Sequence, residues 1–475
     1  MSPSRSLSYM IFVFIFLIPS CKMGANELPD ENPETSAPNQ LPVVTDKNAT
    51  EIVAWVPVTD GEQWRINKLI EAARQVDAPQ VHIDPIGMNM TDENYELQLQ
   101  QAAESGTAPD IAFGWNGRPQ AWARSGLLAP LDECRAKHQP LANIIDPLWQ
   151  QASWQGQTWG VPVTLQIRPL FFNKQVLGEL AWSQAAIDAL PDKIEKGEFT
   201  LDNMLQIAAE AIEAGLIEPG FAYWPKPGET VFEPYIAYGG EVYDPGQQKL
   251  VIHRHALEQS FTFRQQQISQ GLTLEHAMIP TQNEWATLLL WHDAVVHGRV
   301  LFWYGSSEDW SLWTNQFAAN LGGQAYMDSF AGYALFPSAL ANISAKTRAS
   351  TNFYVLFSEN ASGHTNQEAA CQVLAGTANP EINALHVEER MDLGTIKSQI
   401  NDPVFISMTF TKETTHMIDH AWYLPYQIPE LDVYQGILEE YALKVERSEL
   451  SSDAAAAQAV RQLINVLGDK LIVKE

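Results

Sequence analysis

The stretch EIVAWVPV at 51–58 decides the fold, because it is an apolar strand pattern that a helical segment follows at once. The alternation then continues with strands at 81–86 and 110–114 and with helices at 62–76 and 92–105. Strands separated by helices of this length form βαβ units around a parallel sheet. The sequence therefore predicts an α/β fold.

Similar patterns extend this prediction to the end of the chain. One helix begins at the N-cap Thr200 and ends at Gly215, which is a typical helix stop. The other predicted elements are strands at 158–163, 167–172, 300–304, 331–336 and 353–357, and helices at 255–270, 282–297, 309–318, 366–374, 431–444 and 453–467. A chain of 475 residues is long enough for two domains.

Composition excludes several classes of protein. The chain has 57 acidic and 29 basic residues, a formal net charge of -28, and 10% aromatic residues. This aromatic content favours a globular body over an extended disordered chain. Nucleic-acid binders attract phosphates with Lys and Arg, so the acidic surplus argues against a nucleic-acid partner.

The N-terminus reads as an export signal. Arg5 precedes an apolar run at 10–18, which rises only about 14 Å as a helix and is too short to span a membrane. The segment 18–21, Ile-Pro-Ser-Cys, resembles a bacterial lipobox, in which the cysteine is lipidated. We expect a signal peptide at 1–20, a lipid anchor at Cys21, a flexible tether at 21–48 and an extracytoplasmic location on the membrane surface. An ordinary signal with an unmodified cysteine is the alternative.

The two remaining cysteines, Cys134 and Cys371, are able to form a disulfide in an oxidising compartment. Sequence alone does not place them in contact, so their pairing stays open.

Six short segments occur in an order that resembles one family. They are AESGTAPD at 103–110, GLLAPL at 126–131, QGQTWGVP at 155–162, FFNK at 171–174, YGG at 238–240 and GRVLF at 298–302. The pattern is similar to that of bacterial extracellular solute-binding proteins of family 1, the substrate receptors of carbohydrate ABC importers. The resemblance implies a monomer with a two-lobed periplasmic-binding-protein-like fold of type II, hinge strands between two mainly parallel sheets, and ABC permease subunits as partners.

The resemblance also implies where the chain passes between lobes. We expect crossings near 163–166, 350–354 and 402–409, which gives lobe 1 at 49–164 plus about 353–405 and lobe 2 at 165–352 plus 406–475. The double glycine that usually precedes the last crossover strand is replaced by Ala-Ser-Thr-Asn at 349–352.

A sugar pocket needs aromatic walls together with fixed donors and acceptors beyond the carboxyl ends of strands. The expected ligand contacts are Trp55, Asp60, Trp115 and Asn116 in the first lobe, Gln166 and Arg168 at the first crossing, and Glu229, Glu233, Gly239, Gly240, Trp303, Tyr304, Trp310 and Trp422 in the second lobe. Core packing of Trp55 and Trp115, a lobe-bridging role for Arg168 and interlobe packing of Trp422 are the alternatives.

Two other functions remain open at this level. A non-sugar solute such as a polyamine, peptide or cation suits the same fold, and acidic pairs at 229 with 233 and at 308 with 309 suit a glycoside hydrolase. The nucleotide, serine-hydrolase and zinc-protease motifs do not occur. His253 and His255 alternate on an expected strand and share a face that suits a metal, although a solvated pair explains them as well. The sequence therefore favours a binding protein without cofactor that captures a neutral saccharide and is not an enzyme.

Overall fold

The computed structural model describes residues 50–58, 63–75, 81–88, 92–225, 231–274 and 284–475. Its strands are β1 (Thr50–Pro57), β2 (Val81–Met88), β3 (Ile111–Gly114), β4 (Ser153–Trp154), β5 (Gln157–Thr158), β6 (Val161–Arg168), β7 (Leu170–Asn173), β8 (Tyr223–Pro225), β9 (Tyr243–Asp244), β10 (Lys249–His253), β11 (Phe302–Tyr304), β12 (Ala331–Ala334), β13 (Thr347–Leu356), β14 (Ala421–Trp422) and β15 (Leu471–Lys474).

Helices surround these strands. The α-helices are α1 (Trp64–Gln75), α2 (Asp92–Glu104), α3 (Arg118–Arg124), α4 (Asp132–Lys137), α5 (Asp146–Gln150), α6 (Lys174–Glu179), α7 (Gln184–Asp188), α8 (Leu190–Glu195), α9 (Leu201–Glu213), α10 (Phe232–Ala237), α11 (Arg254–Ser269), α12 (Glu284–Val296), α13 (Ser307–Leu312), α14 (Gly323–Phe330), α15 (Glu359–Ser362), α16 (Gln367–Gly376), α17 (Pro380–Asn383), α18 (Val387–Arg390), α19 (Pro403–Ser407), α20 (Thr409–Thr414), α21 (Leu431–Glu446) and α22 (Ser452–Leu467). One π-helical turn, Trp313–Phe317, continues α13.

The first sheet has the order β14-β13-β3-β1-β2, with β6 also paired to β13. β1 pairs in parallel with both β2 and β3, so the prediction of βαβ units in the opening segment is confirmed. β13 runs antiparallel to β3 and also pairs with β14 and β6, so it is an interior strand of this sheet. Helices α1 and α2 are the crossovers that parallel neighbours require.

The second sheet has the order β12-β7-β11-β8. β11 is parallel to β8, whereas β7 runs antiparallel to both β11 and β12. Three strands thus share one direction and β7 alone is reversed.

A two-stranded ribbon joins the two sheets. β6 and β13 pair antiparallel from Arg168 with Arg348 to Val161 with Tyr354, with a register shift between Asn352 and Phe353. The sequence patterns predicted separate strands at 158–163 and 167–172, but β6 continues through that gap because Leu165 and Ile167 are buried in the main core. The mixed α/β, two-lobed fold predicted from the sequence is confirmed.

A third, small sheet of β15-β10-β9 was not predicted. It packs with helices α11, α21 and α22 around a separate apolar core. His253 ends β10 and Arg254 begins α11, so the prediction that His253 and His255 share one strand face is wrong.

Two further structural facts concern the chain as a whole. Cys134 in α4 and Cys371 in α16 form a disulfide with their Cα atoms 5.8 Å apart. Among the described residues, no helix is long and apolar enough to cross a membrane.

Candidate functional site

Trp115 and Asn116 follow the carboxyl end of β3, the edge where open α/β sheets bind ligands. Trp115 is half-buried and meets the rings of Tyr95 and Phe113 edge to face. Asn116 Oδ1 accepts a hydrogen bond from the backbone N–H of Thr351 at 2.9 Å. Asn116 therefore fixes this loop to β13 and leaves part of the Trp115 ring open to the site.

Trp55 lies within β1, two residues before the strand ends at Pro57. It is half-buried, and its indole N–H is buried without a hydrogen-bond partner among the described residues. Its backbone carbonyl accepts a hydrogen bond from Tyr95 Oη at 2.8 Å. Its ring packs partly against the core, in agreement with the alternative that Trp55 is a packing residue. Contact of Trp55 with a ligand stays a prediction.

Three of the predicted functional residues, Cys21, Asp60 and Glu229, lie outside the described residues.

Four polar side chains share one face of the ribbon between the sheets, and we call them the crossover patch: Gln166, Arg168, Arg348 and Ser350. Arg348 lies opposite Arg168 and Ser350 lies opposite Gln166 in the antiparallel register. Residues two apart on a strand point to the same side, so all four side chains project together. Ser350 Oγ donates a hydrogen bond to Gln166 Oε1 at 3.2 Å. The crossover patch thus presents two cations and two amide or hydroxyl groups at the junction of the two sheets.

Glu233 meets this patch from helix α10. Its Oε1 lies 3.5 Å from Arg348 Nη1 and accepts a hydrogen bond from Tyr304 Oη at 3.2 Å. Glu233 and Tyr304 are both buried, and Tyr304 has no exposed surface. Tyr304 therefore orients Glu233 in this structure, and its contact with a ligand stays a prediction.

Glu308 meets the same patch from helix α13, which follows the carboxyl end of β11. Its Oε2 accepts a hydrogen bond from Gln166 Nε2 at 2.9 Å, and its Oε1 lies 2.9 Å from Arg390 Nη1. Arg390 Nε in turn lies 3.7 Å from Asp392 Oδ2, and Asp392 Oδ1 accepts a hydrogen bond from Ser307 Oγ at 2.5 Å. These contacts tie β6, α13 and the segment after α18 together.

Trp303 and Trp310 occupy the core of the second sheet. Neither has exposed surface, and both stack on the ring of Phe171, with centroid distances of 5.5 and 5.7 Å. Trp310 also stacks on Phe410 at 5.5 Å. Both indoles therefore belong to the core in this structure, and their contact with a ligand stays a prediction.

A pocket of about 110 Å³ lies beside Glu233, and its wall includes Gly239, Gly240 and Trp422. Trp422 is half-buried and faces Phe232 edge to face, so part of its ring lines the pocket. A Cβ at Gly240 would lie 2.5 Å from the ring of Tyr235, so packing explains this glycine. The volume is below the roughly 300–1,000 Å³ of small-molecule sites, so this pocket does not hold a ligand of that size in the present structure.

Tyr426, which sequence reasoning missed, lies close to Gly117. Gly117 has a φ of +80°, and a Cβ added there would be 3.2 Å from Tyr426 Cδ1. The close approach places the Tyr426 ring against the loop that carries Trp115 and Asn116. Arg348 and Arg390 were missed too, since isolated arginines in apolar or mixed segments carry no pattern that points to a site.

Lys68 and His386 are fully buried behind the site. Lys68 Nζ donates a hydrogen bond to the carbonyl of Val163 at 2.9 Å, and burial lowers the pKa of Lys68 well below its usual range although Asp392 opposes the change. Burial is the larger cause that lowers the pKa of His386 well below its usual value, and the nearby Lys68 is the second cause. Burial thus shifts both groups toward their neutral forms relative to the same groups in water.

Residues 89–291 match the sequence profile of the bacterial extracellular solute-binding proteins. Over these residues the chain is similar to that family, so the resemblance inferred from the six segments is confirmed. No curated protein sequence matches the chain.

Solved structures share the fold of this chain. The GacH receptor of Streptomyces glaucescens, solved alone and with acarbose, is 16% identical with a TM-score of 0.67 over 89% of this chain and 99% of its own. The sugar-binding protein MalE from Xanthomonas citri is 18% identical with a TM-score of 0.67 over 89% and 98%. An ABC transporter solute-binding protein from Thermotoga lettingae, bound to α-D-tagatose, is 18% identical with a TM-score of 0.65 over 88% and 100%.

Proposed function

We propose that this protein is the extracytoplasmic substrate-binding lipoprotein of an ABC importer and that it captures a neutral saccharide between its lobes. The structures that share its fold include receptors solved with acarbose and with tagatose, which supports a saccharide as the ligand class. The protein then presents the bound sugar to permease subunits that supply the energy for transport.

The balance of charge at the site carries the proposal of a neutral ligand. Three carboxylates and three guanidinium groups meet around the crossover patch: Glu233, Glu308, Asp392, Arg168, Arg348 and Arg390. This balance contrasts with the formal charge of -28 on the whole chain. A polyamine or metal cation needs a surplus of carboxylates, and an anion needs a surplus of cations. Paired charges with half-buried aromatic rings nearby suit hydroxyl groups and C–H faces instead.

We also propose the lobe boundaries expected from the sequence: 49–164 with about 353–405, and 165–352 with 406–475. The pairing of β6 with β13 supports the first two crossings. The third is supported by the packing of Phe405 against His386, 6.4 Å between centroids, and of Phe410 on Trp310. Hinge rotation at these crossings would move the lobes apart and admit a ligand to the cleft between them.

A ligand screen tests this function directly. We expect a neutral oligosaccharide to raise the melting temperature of the purified protein, because a ligand at one hundred times its Kd stabilises the native state by about 2.7 kcal/mol. Spermidine and a dipeptide at matched concentrations serve as the alternative solutes. Stabilisation by one of these and by no saccharide would refute the sugar assignment.

The proposed absence of catalysis has its own test. Two of the four candidate carboxylates are paired with guanidinium groups, Glu233 with Arg348 and Glu308 with Arg390, whereas a glycosidase needs one carboxyl as a proton donor. We expect no hydrolysis of an aryl glycoside by the wild-type protein. Hydrolysis that Glu233→Gln or Glu308→Gln abolishes would establish an enzyme instead.

We propose lipidation at Cys21 from the lipobox-like segment alone. The wild-type protein expressed in bacteria should partition into the detergent phase of a Triton X-114 extract, and Cys21→Ser should move to the aqueous phase. A variant that still partitions into detergent would contradict the anchor.

A further inference from the structure

One polar residue is the accessible part of a segment that otherwise lies in the core. From Trp303 to Trp310 every side chain is buried except that of Glu308, which keeps 44% of its surface exposed. The segment follows β11 at the carboxyl edge of its sheet, where a ligand would approach. A side-chain contact between this segment and a ligand must therefore come from Glu308.

The partners of Glu308 hold it in one position. Gln166 and Arg390 contact one carboxylate oxygen each at 2.9 Å, and the Arg390 side chain is only 8% exposed. Ser350 fixes Gln166 from the other crossover strand, and Asp392 lies 3.7 Å from the Arg390 guanidinium. A group held by buried neighbours loses little side-chain entropy when a ligand binds.

We infer that Glu308 and Arg390 form a donor–acceptor pair that binds two adjacent hydroxyl groups of a saccharide, with Gln166 and Asp392 as positioning residues. This assignment rests on the proposed function. The Glu308 carboxylate accepts a hydrogen bond from one hydroxyl, while the Arg390 guanidinium donates to the oxygen of its neighbour. Specificity at this end of the site thus comes from a vicinal diol, and not from stacking on Trp303 or Trp310.

Substitution of the exposed carboxylate tests the assignment. The probes are maltotriose, cellotriose, xylotriose and raffinose, titrated by calorimetry into wild type, Glu308→Gln and the control Glu213→Gln. Glu213 is an exposed residue at the end of α9, so its change removes the same charge far from the crossover patch. We expect Glu308→Gln to weaken binding of the best probe at least tenfold, because a hydrogen bond to a charged group contributes about 1.5–3 kcal/mol. The control should bind as wild type does.

Each result has a distinct meaning. Equal affinity of wild type and Glu308→Gln for a saccharide would overturn this assignment and leave the proposed function intact. If the wild type binds none of the four probes but binds spermidine or a dipeptide, the proposed function fails and this assignment fails with it.

A measurement on the wild type tests the assignment without relying on the variant to fold. Arg390 also lies close to Asp392, so Glu308→Gln does not leave the guanidinium without a carboxylate. If the variant nevertheless fails to fold, hydrogen–deuterium exchange on the wild type decides the question. The best probe should slow exchange at 306–310, and unchanged exchange there, with slowing elsewhere in the protein, would overturn the assignment.

Discussion

The fully buried Trp310 offers a sharp test of the division between core and site. Its ring stacks on Phe171 and Phe410 at centroid distances of 5.7 and 5.5 Å and meets Tyr333 edge to face at 5.2 Å. Replacing a buried Trp by Ala costs about 3–5 kcal/mol of unfolding free energy. With about 2–4 °C of melting temperature per kcal/mol in a domain of lobe size, Trp310→Ala should lower the melting temperature by about 6–20 °C.

The assay is urea unfolding followed by circular dichroism, together with a calorimetric titration of the saccharide that the wild type binds. Trp182→Ala is the matched control, because Trp182 is half-buried and meets the Phe199 ring only edge to face. We expect the control to cost clearly less than Trp310→Ala. A Trp310→Ala protein that keeps its stability but loses saccharide affinity would refute the core assignment and restore the stacking role expected from the sequence.

Three other predictions concern stability. The pKa of His386 is lowered on folding, so the unfolded state takes up this proton first as pH falls below about 6.5, and stability falls toward acid pH. In urea unfolding, His386→Asn should remove about 1 kcal/mol of the stability that the wild type loses between pH 7.0 and 5.5. Equal pH dependence of the unfolding free energy in the wild type and the variant would contradict this. Replacing Cys134 and Cys371 by Ser should cost about 2–5 kcal/mol, and reductant should lower the melting temperature of wild type but not of the double variant. Gly240→Ala should lower the unfolding free energy by about 1–3 kcal/mol, because the added Cβ meets the ring of Tyr235. The control Gly436→Ala has open space at its Cβ and should not destabilise the protein. Equal effects of the two substitutions would show that the Tyr235 contact does not matter.

The sequence was informative where local pattern decides structure. The opening strands and helices appear within two residues of their predicted ends, since alternation of apolar strands with amphipathic helices leaves few arrangements. Thr200 does cap α9, with the Thr200 and Asn203 pair in a capping box. The short β8, β9, β14 and β15 were missed because two to four residues carry too little periodicity to distinguish a strand from a loop.

The site is harder to predict from the sequence than the fold, for a physical reason. A tryptophan near the end of a strand packs equally well under a ligand or inside a core, and only tertiary contacts separate Trp115, which stays half-buried, from Trp303, which does not. Glu308 contacts Gln166, which lies 142 positions away in the sequence. Long-range pairs of this kind leave no spacing in the sequence to recognise.

We propose that an intact sugar lies between the lobes against the crossover patch. A crystal structure of the protein with the tightest-binding oligosaccharide tests this placement. We predict an uncleaved saccharide whose hydroxyl groups contact Glu308 and whose faces lie near Trp115 or Trp422. A ligand bound away from the ribbon of β6 and β13, or a sugar with its glycosidic bond broken, would contradict it.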